Sequence, residues 1–260
     1  MIYWIIGAAS AAAAALAALF VFFNNGCIKT TRYKIKIDGA PKLRIAHISD
    51  LHGKRFGKRN ARLIKKVIKA KPDFIAVTGD IIHLYTPENR EVALETVSAL
   101  KEIAPVLYVA GNHEMRNKGY RFLRRDLKEA GATVLDDLCT EACGITVAGL
   151  NGASLRNDKI SAVTPDVSPK ILLAHEPQFF EKYAAAGYDL VLCGHAHGGQ
   201  WRIPFTGIGL YAPGQGRFPK YTSGVHSLGK CRMVISRGLG NSQFPLRLFN
   251  RPELVVIDIE

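Results

Sequence analysis

Five times in this chain a short apolar run ends, within a residue or two, on a side chain able to ligate a metal. Residues 43–49 lead into Asp50 and His52, 74–78 into Asp80, 106–110 into Asn112 and His113, 171–174 into His175, and 189–193 into His195 and His197. Runs this short fit buried strands better than helices. Three intervening segments, 60–71, 91–103 and 120–130, carry helical spacing, as in Leu63, Ile64, Val67 and Ile68, and Gly131 ends the third. Strand candidates at 133–135, 144–150, 232–236 and 254–257 make the second half richer in strands, and Pro177 opens a further helix. This alternation predicts an α/β domain whose strand ends meet at one edge, where ligands bind in such sheets.

The donor types narrow the chemistry. Asp, Asn and His offer oxygen and imidazole without thiolate, which suits Mn, Fe or Zn at a hydrolytic site better than a closed structural zinc. There are too many donors for one tetrahedral ion. They suffice for two divalent ions about 3.5–4 Å apart that share a carboxylate. Gly79, Gly111 and Gly194 each precede a donor, where a sharp turn is expected.

Asp50-Leu-His52, Gly79-Asp80, Gly111-Asn112-His113-Glu114, His175 and Gly194-His195-Ala-His197 resemble, in order, the signature of the calcineurin-like metallophosphoesterases. The resemblance covers roughly residues 43–257. It implies a four-layer αββα sandwich and a dinuclear centre. Asp50, His52 and His197 would hold one metal, Asn112, His175 and His195 the other, and Asp80 would bridge them. It further implies that His113 protonates the leaving oxygen or stabilises charge, and that Glu114 positions its neighbours. Gly79-Asp80-Ile-Ile-His83 departs from the Gly-Asp-x-x-Asp-Arg-Gly of the protein phosphatases and argues against that activity. Residues 194–200 and 236–253 resemble a membrane-anchored bacterial subgroup associated with hydrolysis of UDP-2,3-diacylglucosamine in lipid A synthesis.

Residues 2–23 carry no charged side chain and at about 1.5 Å per residue would span roughly 33 Å, enough to cross a bilayer core. A cleaved signal peptide or a lipoprotein signal ending at Cys27 would need a basic start or small residues before the cut. Neither is present, so residues 1–28 read as a single-pass anchor, 29–42 as a basic juxtamembrane segment with a first strand candidate at 33–37, and 43–260 as the catalytic domain. Lys29, Arg32, Lys34 and Lys36 follow the run, which predicts a cytoplasmic domain.

A net charge of +13 favours an anionic partner. Membrane lipid and a phosphorylated small-molecule or lipid-linked substrate are expected; nucleic acid is not, for want of a nucleic-acid-binding motif. The basic stretch from Lys58 to Lys71 reads either as a solvated face or as a headgroup contact. Trp201, Phe205, Tyr211, Phe218 and Tyr221 are expected in a small β-rich core, with acyl or bilayer contact as the alternative. Five cysteines argue against a disulfide framework. His47, His83 and His226 read as ordinary histidines outside the site. The competing functions are a cell-wall or general phosphodiesterase and a scaffold whose metal site is not catalytic.

Overall fold

Leu43 and Ile45 face one side of their strand, Ala46 and Ile48 the other, and all four are buried. Phe74 and Ala76, set against Ile75 and Val77, repeat the pattern in the next strand. Period-two alternation with both faces apolar demands a covering layer on each face. The computed structural model, which describes residues 1–152, 160–241 and 244–260, supplies those layers as two facing six-stranded sheets with helices outside.

The first sheet runs in the order β1 (Lys29–Ile35), β14 (Glu253–Ile259), β2 (Leu43–Ile48), β3 (Phe74–Thr78), β4 (Val106–Val109) and β5 (Ala132–Val134). The second runs β12 (Gly224–Leu228), β13 (Cys231–Ile235), β9 (Leu190–Cys193), β8 (Lys170–Leu173), β7 (Ile145–Gly149) and β6 (Leu138–Ala142). Ile45, Phe74 and Val109 meet Val147, Ile171 and Leu192 between the sheets. Outside the first sheet, Ile48, Val77 and Tyr108 pack under α2 (Ala61–Ala70), α3 (Pro87–Lys101) and α5 (Tyr120–Glu129), with α4 (Asn112–Met115) at the sheet edge. Outside the second, Leu172, Val191 and Met233 pack against Phe180 and Tyr183 of α6 (Phe180–Ala185). The parallel strands β2, β3 and β4, and likewise β8 and β9, carry their C-terminal ends to one edge.

Four elements differ from the sequence reading. Strand β1 begins at Lys29, which pairs with Glu253, four residues before the first strand expected at 33–37 within the juxtamembrane segment. Helix α3 begins at Pro87 rather than residue 91, because Thr86 Oγ1 accepts from Asn89 N at 3.3 Å and proline suits a first turn. Strands β6 and β12 are edge strands with largely exposed side chains, and so lack the apolar alternation that marks the others.

The helix α1 (Ile2–Gly26) stands apart from the sandwich, its residues 2–23 exposed. Its length and composition are those of a membrane span or a signal sequence. Its last turn is nonetheless docked on the domain. Asn25 Oδ1 accepts from Arg247 N at 2.8 Å, Asn24 Oδ1 accepts from Asn250 N at 3.2 Å, and Phe20 stacks edge-on against Phe249 at 5.0 Å.

The aromatic region does not form the expected small core. Tyr221 is buried against Phe180, but Phe205, Tyr211 and Phe218 are exposed, and Trp201 packs edge-on against Phe244 at 5.0 Å. The pair β10 (Tyr211–Ala212) and β11 (Gly216–Arg217) is too short to bury a face. The five cysteines are free thiols.

Candidate metal centre

Each donor sits on a turn that its strand has just entered. Asp50 N donates to Gly79 O at 3.0 Å and His52 N to Asp80 O at 2.9 Å, which ties the loops after β2 and β3 together. Asp50, His52, Asp80, His195 and His197 all have φ between 47° and 65°. Sparsely populated backbone of this kind costs on the order of 1–3 kcal/mol per residue and persists where the surroundings fix it, most often at functional sites. The three glycines serve two purposes rather than one. Gly79 takes φ +84°, whereas a Cβ on Gly111 would overlap Asp80 and one on Gly194 would overlap Ser49 and Asp50.

Among the described residues three groups result, two of them built on the predicted donors and a third of His52, His83 and His113. The ligating atoms of Asp50, His52 and His197 lie within 4.8 Å of one another, as do those of Asp80, His175 and His195. In the first group His52 Nε2 is 3.1 Å from His197 Nε2, and His197 Nε2 is 3.4 Å from Asp50 Oδ1. In the second, His175 Nε2 is 3.1 Å from Asp80 Oδ2 and 3.1 Å from His195 Nδ1. Asn112 Oδ1 adjoins this group, 3.2 Å from His175 Nε2. Asp80 also faces the first group, with Oδ2 3.7 Å from His52 Nε2.

These separations suit bound cations. Metal–donor bonds of ~2.1 Å at tetrahedral or octahedral angles place neighbouring donors about 3.0–3.4 Å apart. The protonation states agree. Burial pushes His52 and His195 down to about 3 and His197 well below the ordinary range, so all three rings are neutral and each keeps a lone pair to offer a cation. Burial also opposes charge on His175 and Asp80, but the two pair as ions, with His175 raised to about 10 and Asp80 held well below the usual carboxylate range. A bound cation would take the place of the proton between them. His175 Nδ1 donates to Thr78 O at 2.7 Å, which turns Nε2 toward the site.

His113 stands outside the first two groups. Its backbone N donates to Asp80 Oδ1 at 2.8 Å, and its Nε2 is 4.0 Å from Asp80 Oδ2. Its Nδ1 donates to His83 O at 2.9 Å, since a carbonyl only accepts; Nε2 is then the nitrogen free for chemistry. Buried Glu114 accepts from the backbone N of Asp80 at 2.7 Å, of Gly111 at 2.8 Å and of Ile82 at 3.1 Å, which clamps the loops bearing Asp80 and Asn112.

His47 faces away, with Nε2 2.8 Å from Thr78 Oγ1, and His226 Nε2 lies 3.2 Å from Ser223 O. His83 is a correction. Read as an ordinary histidine, it stands with Nδ1 3.3 Å from His52 Nδ1 and its ring 4.7 Å from that of His113. The loop after β3 curls back over the site, and nothing in the spacing of His83 announces this. Arg247 and Asn250 lie in the stretch 236–253 that carries the subgroup resemblance, yet nothing in the sequence assigns them a place at the site. Arg247 is wholly buried, and its Nη2 is 3.4 Å from His197 Nδ1. Asn250 Nδ2 donates to His197 O at 2.7 Å.

Two openings reach the centre. A cleft of about 440 Å³ is lined by Asp80, Asn112, His113, His195 and His197, with Arg116 and Gln178 at its sides. It shares His197, Tyr211 and Pro213 with an apolar groove of about 260 Å³ that adds Trp201, Leu210 and Phe244.

The sequence profile of the calcineurin-like phosphoesterases matches residues 43–199. The chain is 30% identical over 230 residues to phosphodiesterase YaeI of Escherichia coli K12, covering 85% of this chain and 84% of that protein. It is 29% identical over 248 residues to the uncharacterized metallophosphoesterase YkuE of Bacillus subtilis, covering 90% and 86%. The crystal structure of TT1561 of Thermus thermophilus superposes with a TM-score of 0.52 at 16% identity, over 76% of this chain and 91% of that one, a likeness of fold.

Proposed function

The chain belongs to the calcineurin-like phosphoesterase family and is a metal-dependent hydrolase; from that premise we propose that it cleaves a phosphodiester or pyrophosphate bond in a lipid-linked or nucleotide substrate at a membrane surface. UDP-2,3-diacylglucosamine is one such substrate. The observation that carries the reading is the junction of the two openings. A phosphate over Asp80 and His113 would leave an attached acyl chain free to enter the apolar groove past Tyr211 and Pro213. The membrane location is supported by α1 and by the cations around its exit, Lys65, Lys66 and Lys69 of α2 among them. They favour the cytoplasmic side.

In this reading Asp50, His52 and His197 hold one divalent ion of the Mn, Fe or Zn kind, and Asn112, His175 and His195 hold a second. Asp80 is shared between them. Such a pair supplies Lewis acidity and a nucleophile at neutral pH when bound. The protein's own groups do the rest. Glu114 fixes the backbone of Asp80 and Gly111, so the shared carboxylate is preorganised. Arg116 meets the negative charge of the phosphate at the mouth of the cleft. With Nδ1–H kept on His83 O, His113 would act as the imidazolium, giving its Nε2 proton to the leaving oxygen and ending as the neutral ring.

Hydrolysis of bis(p-nitrophenyl) phosphate by the chelated protein, with and without added Mn²⁺, tests the reaction. Mn²⁺-dependent turnover is the expected result, and its absence on every diester and pyrophosphate would leave only the scaffold reading. Leu210→Asp tests the substrate class. It should raise KM for a lipid-linked pyrophosphate while leaving the nitrophenyl diester unaffected. Equal behaviour on both would favour a general phosphodiesterase, a reading that the name of the Escherichia coli relative also supports.

A further inference from the structure

Beside the exit of α1 lies a second cleft, about 630 Å³, that takes no part in the metal centre. Phe20 and Phe23 of the helix form one apolar wall, and Ile203, Phe205 and Phe249 form the other. Phe205 is fully exposed, and Ile203 and Phe249 are exposed as well. Isolated apolar residues at a surface need no explanation, but a contiguous set beside an apolar helix marks a contact.

The same cleft is strongly cationic, through Lys29, Arg202, Arg237 and Arg251. Two of these are committed to the fold. Arg202 Nη1 donates to Gly198 O at 2.7 Å, and Arg251 Nε donates to Cys27 O at 3.1 Å while its guanidinium lies 4.1 Å over the Phe23 ring. Among the described residues, the side chains of Lys29 and Arg237 donate to no backbone carbonyl. Glu253 lies 3.8 Å from Arg237 Nε, but it already accepts from Thr31 Oγ1 at 2.5 Å and from Arg237 N at 3.1 Å. One carboxylate does not balance the four cations of the cleft, so positive charge is in excess there.

We propose that this cleft binds an anionic phospholipid, its phosphate between Lys29 and Arg237 and its acyl chains along Phe20, Phe23 and Phe205. A free phosphate would answer the cations but not the apolar walls. A neutral lipid would answer the walls but not the cations. The position favours the lipid too, since the docked last turn of α1 holds the cleft where the chain leaves the bilayer. The Arg62, Lys65, Lys66 and Lys69 side chains of α2 line the opposite flank of that exit and extend the basic collar. The inference rests on α1 lying in a bilayer.

Full-length protein in a nonionic detergent is titrated with phosphatidylglycerol, with phosphatidylcholine of the same chains, or with inorganic phosphate. Native mass spectrometry and the shift in Tm read binding. Phosphatidylglycerol should bind and raise Tm, and phosphatidylcholine should not. Lys29→Gln with Arg237→Gln should weaken phosphatidylglycerol at least ~10-fold, at roughly five-fold for each cation lost. Phe205→Ser should weaken it less, and it carries the test should the double variant fail to fold. Hydrolysis of bis(p-nitrophenyl) phosphate should stay at the wild-type level in both. Unchanged phosphatidylglycerol affinity in the variants, equal binding of phosphatidylcholine, or the same Tm shift from inorganic phosphate at equal concentration would overturn the proposal. The anchor is tested apart, by alkaline extraction of membranes from expressing cells. Release of the full chain there would sink the anchor, while the detergent titration alone judges the cleft.

Discussion

The metal centre and the exit of α1 are both held by buried polar contacts, yet they are built in opposite ways. At the metal centre every donor follows its own strand within a few residues, so local sequence sets both its type and its direction. At the helix exit the contacts join residues 222 positions apart, as in Asn25 with Arg247. The two regions meet at His197, a donor by local pattern whose carbonyl is held by Asn250, itself held by Asn24. Local patterning aims the donors, and a long-range clasp steadies one of them.

If the centre depends on a shared carboxylate, Asp80→Ala should be the most damaging single change. It leaves two cations at short range without their common anion. Turnover on bis(p-nitrophenyl) phosphate should fall by more than the ~10²–10³-fold that loss of one electrostatic partner typically costs. Turnover within about ten-fold of wild type would remove Asp80 from the centre.

Next in size is His113→Ala, which touches chemistry but neither of the groups built on Asp50 and Asp80. Metal content should stay at the wild-type level while turnover drops about 10²–10⁴-fold. The loss should be larger for an alkoxide leaving group than for p-nitrophenolate, which needs no proton. Equal losses on the two would assign His113 to charge stabilisation instead of proton transfer.

The clasp should matter less, and differently. Asn250→Ala removes the donors to His197 O and Gln200 O. Partners of metal ligands are typically worth ~10–100-fold in metal affinity, so the variant should need more Mn²⁺ for half-maximal activity while reaching a similar plateau. An unchanged Mn²⁺ requirement would show that His197 needs no such support.

Two truncations give the smallest effect and sharpen the contrast. Removing residues 1–23 keeps Asn24 and Asn25, and the soluble remainder should match the full chain in melting temperature. Removing residues 1–28 also deletes three hydrogen bonds to Arg247 and Asn250 and the acceptor of Lys54. At about 0.5–1.5 kcal/mol per hydrogen bond, it should melt several degrees lower. Identical melting curves would make the docked turn incidental.

The same contrast explains how much was legible in advance. Strand and helix order in the first half, and the convergence of the seven candidate donors, could be read because periodicity and the strand-end position are local. Strands β6 and β12 could not, since an exposed edge strand has no apolar face to display. His83 escaped because its place depends on how the loop after β3 folds back. The clasp of Asn24 and Asn25 on Arg247 and Asn250 escaped because its two halves lie at opposite ends of the chain, although residues 236–253 carry the subgroup resemblance. The aromatic segment from Trp201 to Tyr221 looked like core by composition, and only its short, irregular backbone puts most of it at the surface.

The central claim is that the strand-end donors form one dinuclear centre bridged by Asp80. Metal analysis of the purified full-length protein after loading with Mn²⁺ and gel filtration tests it most directly, with Asp80→Ala alongside. Two ions per wild-type chain and fewer than two in the variant are the expected result. One ion in the wild type, or two retained in Asp80→Ala, would contradict it.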